Sequence, residues 1–416
     1  MAGSSGNMFK RTDKLKKKRH QSLFKTVVAK LHLWLGLGAG AIVLIVSITG
    51  CLFVFQKEVN DYYYRKTLFI TPATTPLLPV SELKKKAEAV LGPAKHIRNI
   101  TTYTAPDRAW EFMAYKGNDT ALTYFGAVEY YETVVINPYT GNVTGVIDYK
   151  HNFFLIVKSL HWSLLLNTPY GQPIVGWATF IFVILLITGL IMWWPKKWNK
   201  STREKSFKIK WKAGGKRVNY DLHNVLGFYA MMIALVIALT GMVWAFKWFQ
   251  ATVYVVASGS VTPPARDQQE SVKQQVLLTG DPLDKSFEQA RVLLKGAKRI
   301  FIYPAATENG VHRIGGYKGA ETYYGADELQ FDQYSAKLLG RRNDTHKNRG
   351  EKLLEMNYDI HVGAIGGLAG KILVFFAGLI CASLPVTGFY VWWNKRNKPS
   401  RKPVMIRETV QPEHCK

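Results

Sequence analysis

The chain has 416 residues, 48% of them apolar, and 55 Lys and Arg against 29 Asp and Glu give a net charge of +26. So basic a chain suggests nucleic acid, but the placement of the charge excludes that reading: residues 1–31, 195–221 and 394–416 carry +21 of it, and the long connectors 57–160 and 247–360 only +4. The three cysteines, Cys51, Cys381 and Cys415, all lie outside the connectors, which excludes a disulfide scaffold there.

In chain order, residues 1–31 read as a basic cytoplasmic N-terminus. An apolar run at 33–55 follows, about 20 residues, the length a helix needs to cross a bilayer. It is too long for a signal-peptide core and lacks a small-residue cleavage site, so it reads as an uncleaved anchor. The first transmembrane helix is placed at 32–56. The connector 57–160 contains an amphipathic helix at 80–91, strand-like segments at 97–104, 109–115 and 129–137, and "INPYTGNVTGV" at 136–146 as a hairpin turn. Residues 161–195 hold a second apolar helix, and 196–221 form a basic cytoplasmic loop. A third helix is expected at 222–247. The connector 248–358 has a helix near 283–295, strands near 299–304, 311–317 and 328–332, and "FDQYSAKLLGR" in the hairpin position. Residues 359–394 carry the fourth helix and 395–416 the cytoplasmic tail. Tryptophans such as Trp193, Trp194, Trp244, Trp248, Trp392 and Trp393 stand at the helix ends, as at a membrane–water interface. The basic excess on one side is the positive-inside pattern, which puts both termini in the cytoplasm and a basic face against anionic lipid.

The chain reads twice. "LHLWLGLGAGAIVLIVSITGCLFVFQ" at 31–56 aligns without gaps on "LHNVLGFYAMMIALVIALTGMVWAFK" at 222–247, matching His32 with His223, Gly36 with Gly227 and Gly50 with Gly241. "SLHWSLL" with "ITGLIMWWPKK" likewise resembles "DIHVGAI" with "VTGFYVWWNKR", matching His161 with His361 and Gly189 with Gly388. Each connector is accordingly expected to be a small α+β domain, close to the lower size for independent folding.

An ionisable residue at membrane depth is a functional candidate. Any one histidine is as well explained by a structural hydrogen bond, but four at equivalent positions are not. His32 is expected to face His223 near the cytoplasm, and His161 to face His361 near the outside. Two imidazoles make a poor zinc site, which takes three or four protein ligands. They suit the two axial positions of a b-type haem, so two such haems are expected, with no C-x-x-C-H for covalent attachment. From His32, steps along one helix face meet Gly36, Gly40, Val43, Ser47 and Gly50; from His223 they meet Gly227, Met231, Ala234, Ala238 and Gly241. This small-residue stripe leaves room for a cofactor or serves close helix packing. Its far end, Gly50 and Gly241, reaches the outer site; Gly189 and Gly388 on the returning helices reach the inner one. Of the other histidines, His20, His346 and His414 are assigned no role. His96 and His312 read as surface residues, and His151 is the one reserve ligand.

The helix–strand–strand–strand unit ending in "INPYTGNVTGV" resembles a PepSY domain, and the flanking "LHxxLG…TG" helices resemble the PepSY-associated transmembrane family, over roughly residues 25–396. The arrangement is similar to its ferric-siderophore reductases of the FoxB type. "QYSAKLLG" lacks the Asn-Pro of the first hairpin and departs from the pattern. The resemblance implies an α-helical membrane protein of four transmembrane helices with internal duplication and two periplasmic α+β PepSY-like domains. It implies a bacterial inner-membrane location, a ferric siderophore as substrate, and electrons drawn from a cytoplasmic or quinol donor. No catalytic side chain is identified. The alternative is a membrane-tethered PepSY regulator or binding module of peptidases without redox activity. A transporter built on repeats is a third reading, against which no charged residue stands mid-span.

Overall fold

The computed structural model describes residues 23–195, 197–265, 268–273, 279–319 and 321–397. Four helices are long and apolar enough to cross a membrane: Leu23–Val54, Thr168–Trp193, Gly215–Ala245 and Ala364–Arg396. The first of these begins nine residues before His32, because the apolar run that marks a bilayer crossing does not mark where helical hydrogen bonding starts. Their large apolar side chains, among them Trp34, Ile187, Met232 and Phe376, point outward, as lipid contact requires.

Eleven longer helices and eight strands are used below. They are α1 (Leu23–Val54), α2 (Gln56–Tyr63), α3 (Val80–Leu91), β1 (Ile97–Tyr103), β2 (Trp110–Gly117), β3 (Val128–Ile136), β4 (Val143–Asp148), α4 (Phe153–Ser163), α5 (Thr168–Trp193) and α6 (Lys200–Phe207). After them come α7 (Gly215–Ala245), α8 (Lys247–Ser258), α9 (Pro282–Leu293), β5 (Arg299–Tyr303), β6 (Val311–Tyr317), β7 (Asp327–Asp332), β8 (Leu338–Arg342), α10 (Arg349–His361) and α11 (Gly367–Arg396).

The membrane-length helices pack as a ring. α1 lies against α5 and α11, and α7 lies against the same two, so α1 and α7 stand on opposite sides of it. Small residues allow the contacts to be close. A Cβ on Gly378 would stand 2.7 Å from Cys51 Sγ at the α1–α11 contact, and one on Gly176 would stand 2.8 Å from the Ala245 Cβ at the α5–α7 contact. Cys51 and Cys381 are buried and unbridged.

The strands of both connectors join in one antiparallel eight-stranded sheet of order β4-β3-β2-β1-β5-β6-β7-β8. The seam is β1 on β5, with Ile100 opposite Ile302. Two separate small sheets would each leave an unpaired edge there, and the seam removes both. α3 and α9 share one core with the sheet around Leu83, Phe112, Ile302, Ile314, Leu329 and Phe331. At the β3–β4 turn, Asn137 Oδ1 accepts from the Tyr139 N–H at 2.9 Å and Gly141 takes φ +71°. At the β7–β8 turn, Asp332 replaces the Asn-Pro, accepting from the N–H groups of Tyr334 and Ser335 at 2.9 and 2.7 Å, and Ala336 takes the left-handed position. An Asx turn built on either acid or amide closes the hairpin, so the departure from the pattern leaves the fold intact.

The sheet is tied to the end of the bundle where α5 begins. Asn167, ahead of α5, donates to the carbonyls of Asp119 and Ala121. The buried Lys371 ammonium of α11 meets Glu58 of α2 at 2.5 Å and Glu321 at 4.0 Å.

Candidate functional site

His32 sits within α1. His223 lies in a π-helical turn, Leu222–Leu226, inside α7. Such turns are frequent at functional sites, and the matching stretch around His32 is α-helical throughout. The π turn shifts the α-helical stripe drawn from His223. Beside it the fully buried Asp221 pairs with Arg217 at 2.8 Å. The rings of His32 and His223 face each other with centroids 6.4 Å apart and planes at 87°. His161 ends α4 and His361 ends α10; their centroids are 6.1 Å apart at 74°. The structure therefore brings together the two expected pairs.

Each imidazole is held by a threonine of the neighbouring helix. His32 Nδ1 meets Thr188 Oγ1 at 2.9 Å, and His223 Nδ1 meets Thr387 Oγ1 at 3.0 Å. His161 Nδ1 meets Thr49 Oγ1 at 3.1 Å, and His361 Nδ1 meets Thr240 Oγ1 at 2.9 Å. The direction of these bonds follows from the inventory of a hydroxyl, which has one proton. In all four cases that proton goes to a backbone carbonyl three or four residues back, the nearest being those of Ile184, Ser383, Ile45 and Ile237 at 2.7–2.8 Å. The oxygen is left to accept, so Nδ1 must carry the hydrogen. At His161 the Val46 carbonyl, 2.9 Å from Nδ1, requires the same tautomer. Every one of the four rings thus presents a bare Nε2 lone pair, and no described residue hydrogen bonds to it.

The glycine after each threonine completes the socket. A Cβ on Gly189 would stand 3.4 Å from His32 Cε1, on Gly388 3.0 Å from His223 Cε1, on Gly50 3.2 Å from His161 Cε1 and on Gly241 3.6 Å from His361 Cε1. These four glycines stand at the levels expected for them, and they admit the imidazole ring itself. Gly36 and Gly227 lie one turn from their histidines and turn toward Leu185 of α5 and Leu384 of α11, at 3.8 and 3.4 Å from a would-be Cβ. Both lie at helix–helix contacts.

The threonines were missed as ring-holders, although all four precede the recurrent glycine. Two asparagines were missed as well. Asn219 and Asn357, four residues before His223 and His361, donate to the carbonyls of Thr387 and Thr240 at 3.0 and 3.1 Å. Val28 and Val157 occupy the matching places in the first half. The histidines of the second pair are followed by tight backbone. Leu164 and Leu165 take φ 55° and 61° after His161, and Gly363 takes φ 76° after His361. Left-handed leucines are strained by about 1–3 kcal/mol each, so the chain beyond His161 is held against its own preference. Trp244 packs edge-on against His361 at 5.2 Å. Close by, Asp359 is fully buried, accepts the Tyr323 N–H at 3.1 Å, and is pushed up from its usual carboxylate range by burial.

Other histidines stand apart from the two pairs. His151 is exposed and bonded through Nδ1 to Asp148 at 2.6 Å. His312, expected at the surface, is buried, because β6 turns it into the interior, where its Nδ1 accepts the Ala305 N–H at 3.0 Å. His20, His414 and Cys415 lie outside the described residues.

Among the described residues no three His, Cys, Asp or Glu side chains gather around a metal position. Each site offers two nitrogens and no more. The ring centroids stand 6.4 and 6.1 Å apart, a spacing at which the two imidazoles of each pair could share one iron atom. A two-nitrogen set with free Nε2 atoms fits the axial ligation of a haem and does not fit tetrahedral zinc.

The family model described as the PepSY-associated TM region matches residues 29–395. That interval contains all four histidines and all four Thr-Gly pairs. A search of curated proteins gave no match.

Proposed function

The chain belongs to the PepSY-associated transmembrane family, and from that premise we propose that it is a di-haem membrane reductase of the FoxB type. In this reading it stands in the bacterial cytoplasmic membrane with both termini inside and the sheet in the periplasm. Its two halves are copies of one unit, each carrying a PepSY-like α+β domain between its two membrane helices. It passes electrons outward to ferric iron held by a siderophore.

The observation that carries the reading is the pair of facing imidazoles, made twice, each with its Nδ1 proton committed to a threonine and its Nε2 free. His32 and His223 would hold the inner b-type haem, and His161 and His361 the outer. When bound, each haem supplies a one-electron ferric–ferrous couple. The chain's own part is orientation. Thr188, Thr387, Thr49 and Thr240 fix tautomer and ring angle, as the hydrogen-bond partners of metal-bound histidines do. Gly189, Gly388, Gly50 and Gly241 let the rings approach, and Gly36 and Gly227 keep the turn next to the inner histidines narrow. On α1, His32 and Thr49 are 17 residues apart, about 26 Å of helix, close to the hydrocarbon thickness of a bilayer.

The positive-inside pattern favours an inner pair near the cytoplasm, fed by a cytoplasmic or quinol donor. Reduction of the bound substrate iron weakens its hold on hard oxygen donors, which releases it. Anionic lipid would meet the basic inner face.

The test is the visible spectrum of the detergent-purified protein from haem-replete cells. A Soret band, with α and β bands that sharpen on dithionite, is expected. Replacement of His32 or His223 should remove the inner half of the haem, and of His161 or His361 the outer half. A colourless protein would sink the reading and favour a tethered regulator. Reduction of a ferric siderophore by the dithionite-reduced protein, followed by loss of its charge-transfer colour, tests the substrate.

A further inference from the structure

His161 does not stand alone on its helix. α4 reads "FFLIVKSLHWS", and positions three and four residues back share the face of His161. Phe154 and Val157 on that face are buried. Lys158, three back, is not: solvent reaches it. Protein nevertheless crowds it, and desolvation alone pushes its ammonium below the ordinary lysine value. Lys158 makes no ion pair or hydrogen bond with any described residue. An accessible ammonium in a crowded crevice, on the side of the helix that carries the ligand imidazole, is an anion position without its anion. The matching residue of the other half, three before His361, is Tyr358, which is neutral. Beside Tyr358 stands the buried Asp359, so on these two helices the cation lies on the His161 flank and the acid on the His361 flank.

We propose that Lys158 is the carboxylate-binding residue of the outer site, pairing with a propionate of the haem that His161 and His361 hold. This rests on the di-haem reading. A b-type haem carries its two carboxylates at one edge, at right angles to the axis joining its ligands. One helical turn separates Lys158 from His161, about 5–6 Å between their Cβ atoms, and a lysine stem extends its charge well beyond its own Cβ. The pairing puts both charges at the water side of the site and gives the ammonium the partner the chain lacks. It also acts on the couple. An uncompensated carboxylate beside the iron favours the ferric form, and a cation on that carboxylate shifts balance toward the ferrous form. Lys158 is a positioning residue, and it makes the outer haem the easier of the two to reduce by this one contact.

The test is an optical redox titration of the full-length protein in detergent, comparing wild type with K158M and K158R. The expected result is two haem waves in all three, with the outer wave of K158M moved to lower potential. The inner wave should be unchanged, and K158R should match wild type. Loss of the outer haem from K158M with retention in K158R would also support the pairing. If K158M keeps both haems and both midpoints, the proposal is overturned. A raised KM for a ferric chelate with unchanged midpoints overturns it too, and assigns the ammonium to the substrate. A wild-type protein without a Soret band refutes the di-haem reading itself, a failure separate from the others.

Discussion

Replacing Thr387 with valine keeps the shape of the socket around His223 and deletes its hydrogen bond. The bond is 3.0 Å long, and Thr387 Oγ1 can only accept in it because its proton is spent on the Ser383 carbonyl at 2.8 Å. With valine, the Nδ1–H keeps only the backbone carbonyl of Leu384, and the tautomer with Nε2 protonated, which cannot bind metal, gains ground. Losing one hydrogen bond of this kind costs about 0.5–1.5 kcal/mol. Loss of the group that holds a metal-bound histidine typically weakens the metal about 10–100-fold, which is about 1.4–2.7 kcal/mol. The two ranges meet near 1.4 kcal/mol, so T387V should bind the inner haem about tenfold more weakly, while T387S should be close to wild type. The assay is haemin titration of the apoprotein in detergent, read at the Soret band, with the outer haem as internal reference. The socket of His161 supplies a graded control: its Nδ1 also reaches the Val46 carbonyl at 2.9 Å, so T49V should cost less than T387V. If T387V binds haem like wild type, or if T49V is the more damaging, the hydroxyl does not set the ring and the tautomer reasoning fails.

Gly388 and Gly241 offer a steric series. A methyl on Gly388 would press on His223 Cε1 at 3.0 Å, whereas one on Gly241 would sit 3.6 Å from His361, in ordinary contact. G388A should therefore lower inner-haem occupancy, by an overpacking penalty of about 1–3 kcal/mol, and G241A should leave the outer haem nearly intact; equal effects would contradict the geometry. His312 gives a pH dependence. Burial pushes its pKa from 6.5 down to about 4, so the folded protein prefers it neutral. Between pH 6.5 and about 4 the unfolded chain binds the proton more readily. Stability is thus full above 6.5 and falls as pH drops through the window, by about 3 kcal/mol in all. H312Q, which keeps an acceptor for the Ala305 N–H, should flatten that part of the profile in thermal melts at pH 4.5, 5.5 and 7; an unchanged slope would show that other groups carry it.

Much of this protein was legible before its structure. The strands expected at 97–104, 109–115 and 129–137 are found at Ile97–Tyr103, Trp110–Gly117 and Val128–Ile136, because the Val, Thr and Tyr alternation that buries one face also defines the element. The amphipathic helix at 80–91 is found at Val80–Leu91, with Val80, Leu83 and Ala87 turned to the core. The seam of β1 on β5 was not legible. Each strand reads the same whether its edge is solvated or paired, and the pairing joins residues about 200 apart. Nor was the π turn at His223, which changes the count of residues per turn without changing composition.

The sequence by itself singled out four histidines and their pairing. A charge-free crossing length makes any ionisable residue conspicuous, and a written repeat leaves each histidine one counterpart. It also displayed the Thr-Gly pairs without their use. Only the tertiary structure decided what those pairs do: His32, His161, His223 and His361 find their threonines 156, 112, 164 and 121 residues away. A hydrogen bond between neighbouring helices follows from their register in space, and that register leaves no period in either segment. The same bond selects which ring nitrogen is bare. The residues that form the site are therefore a matter of pattern, and the atom each one presents is a matter of packing.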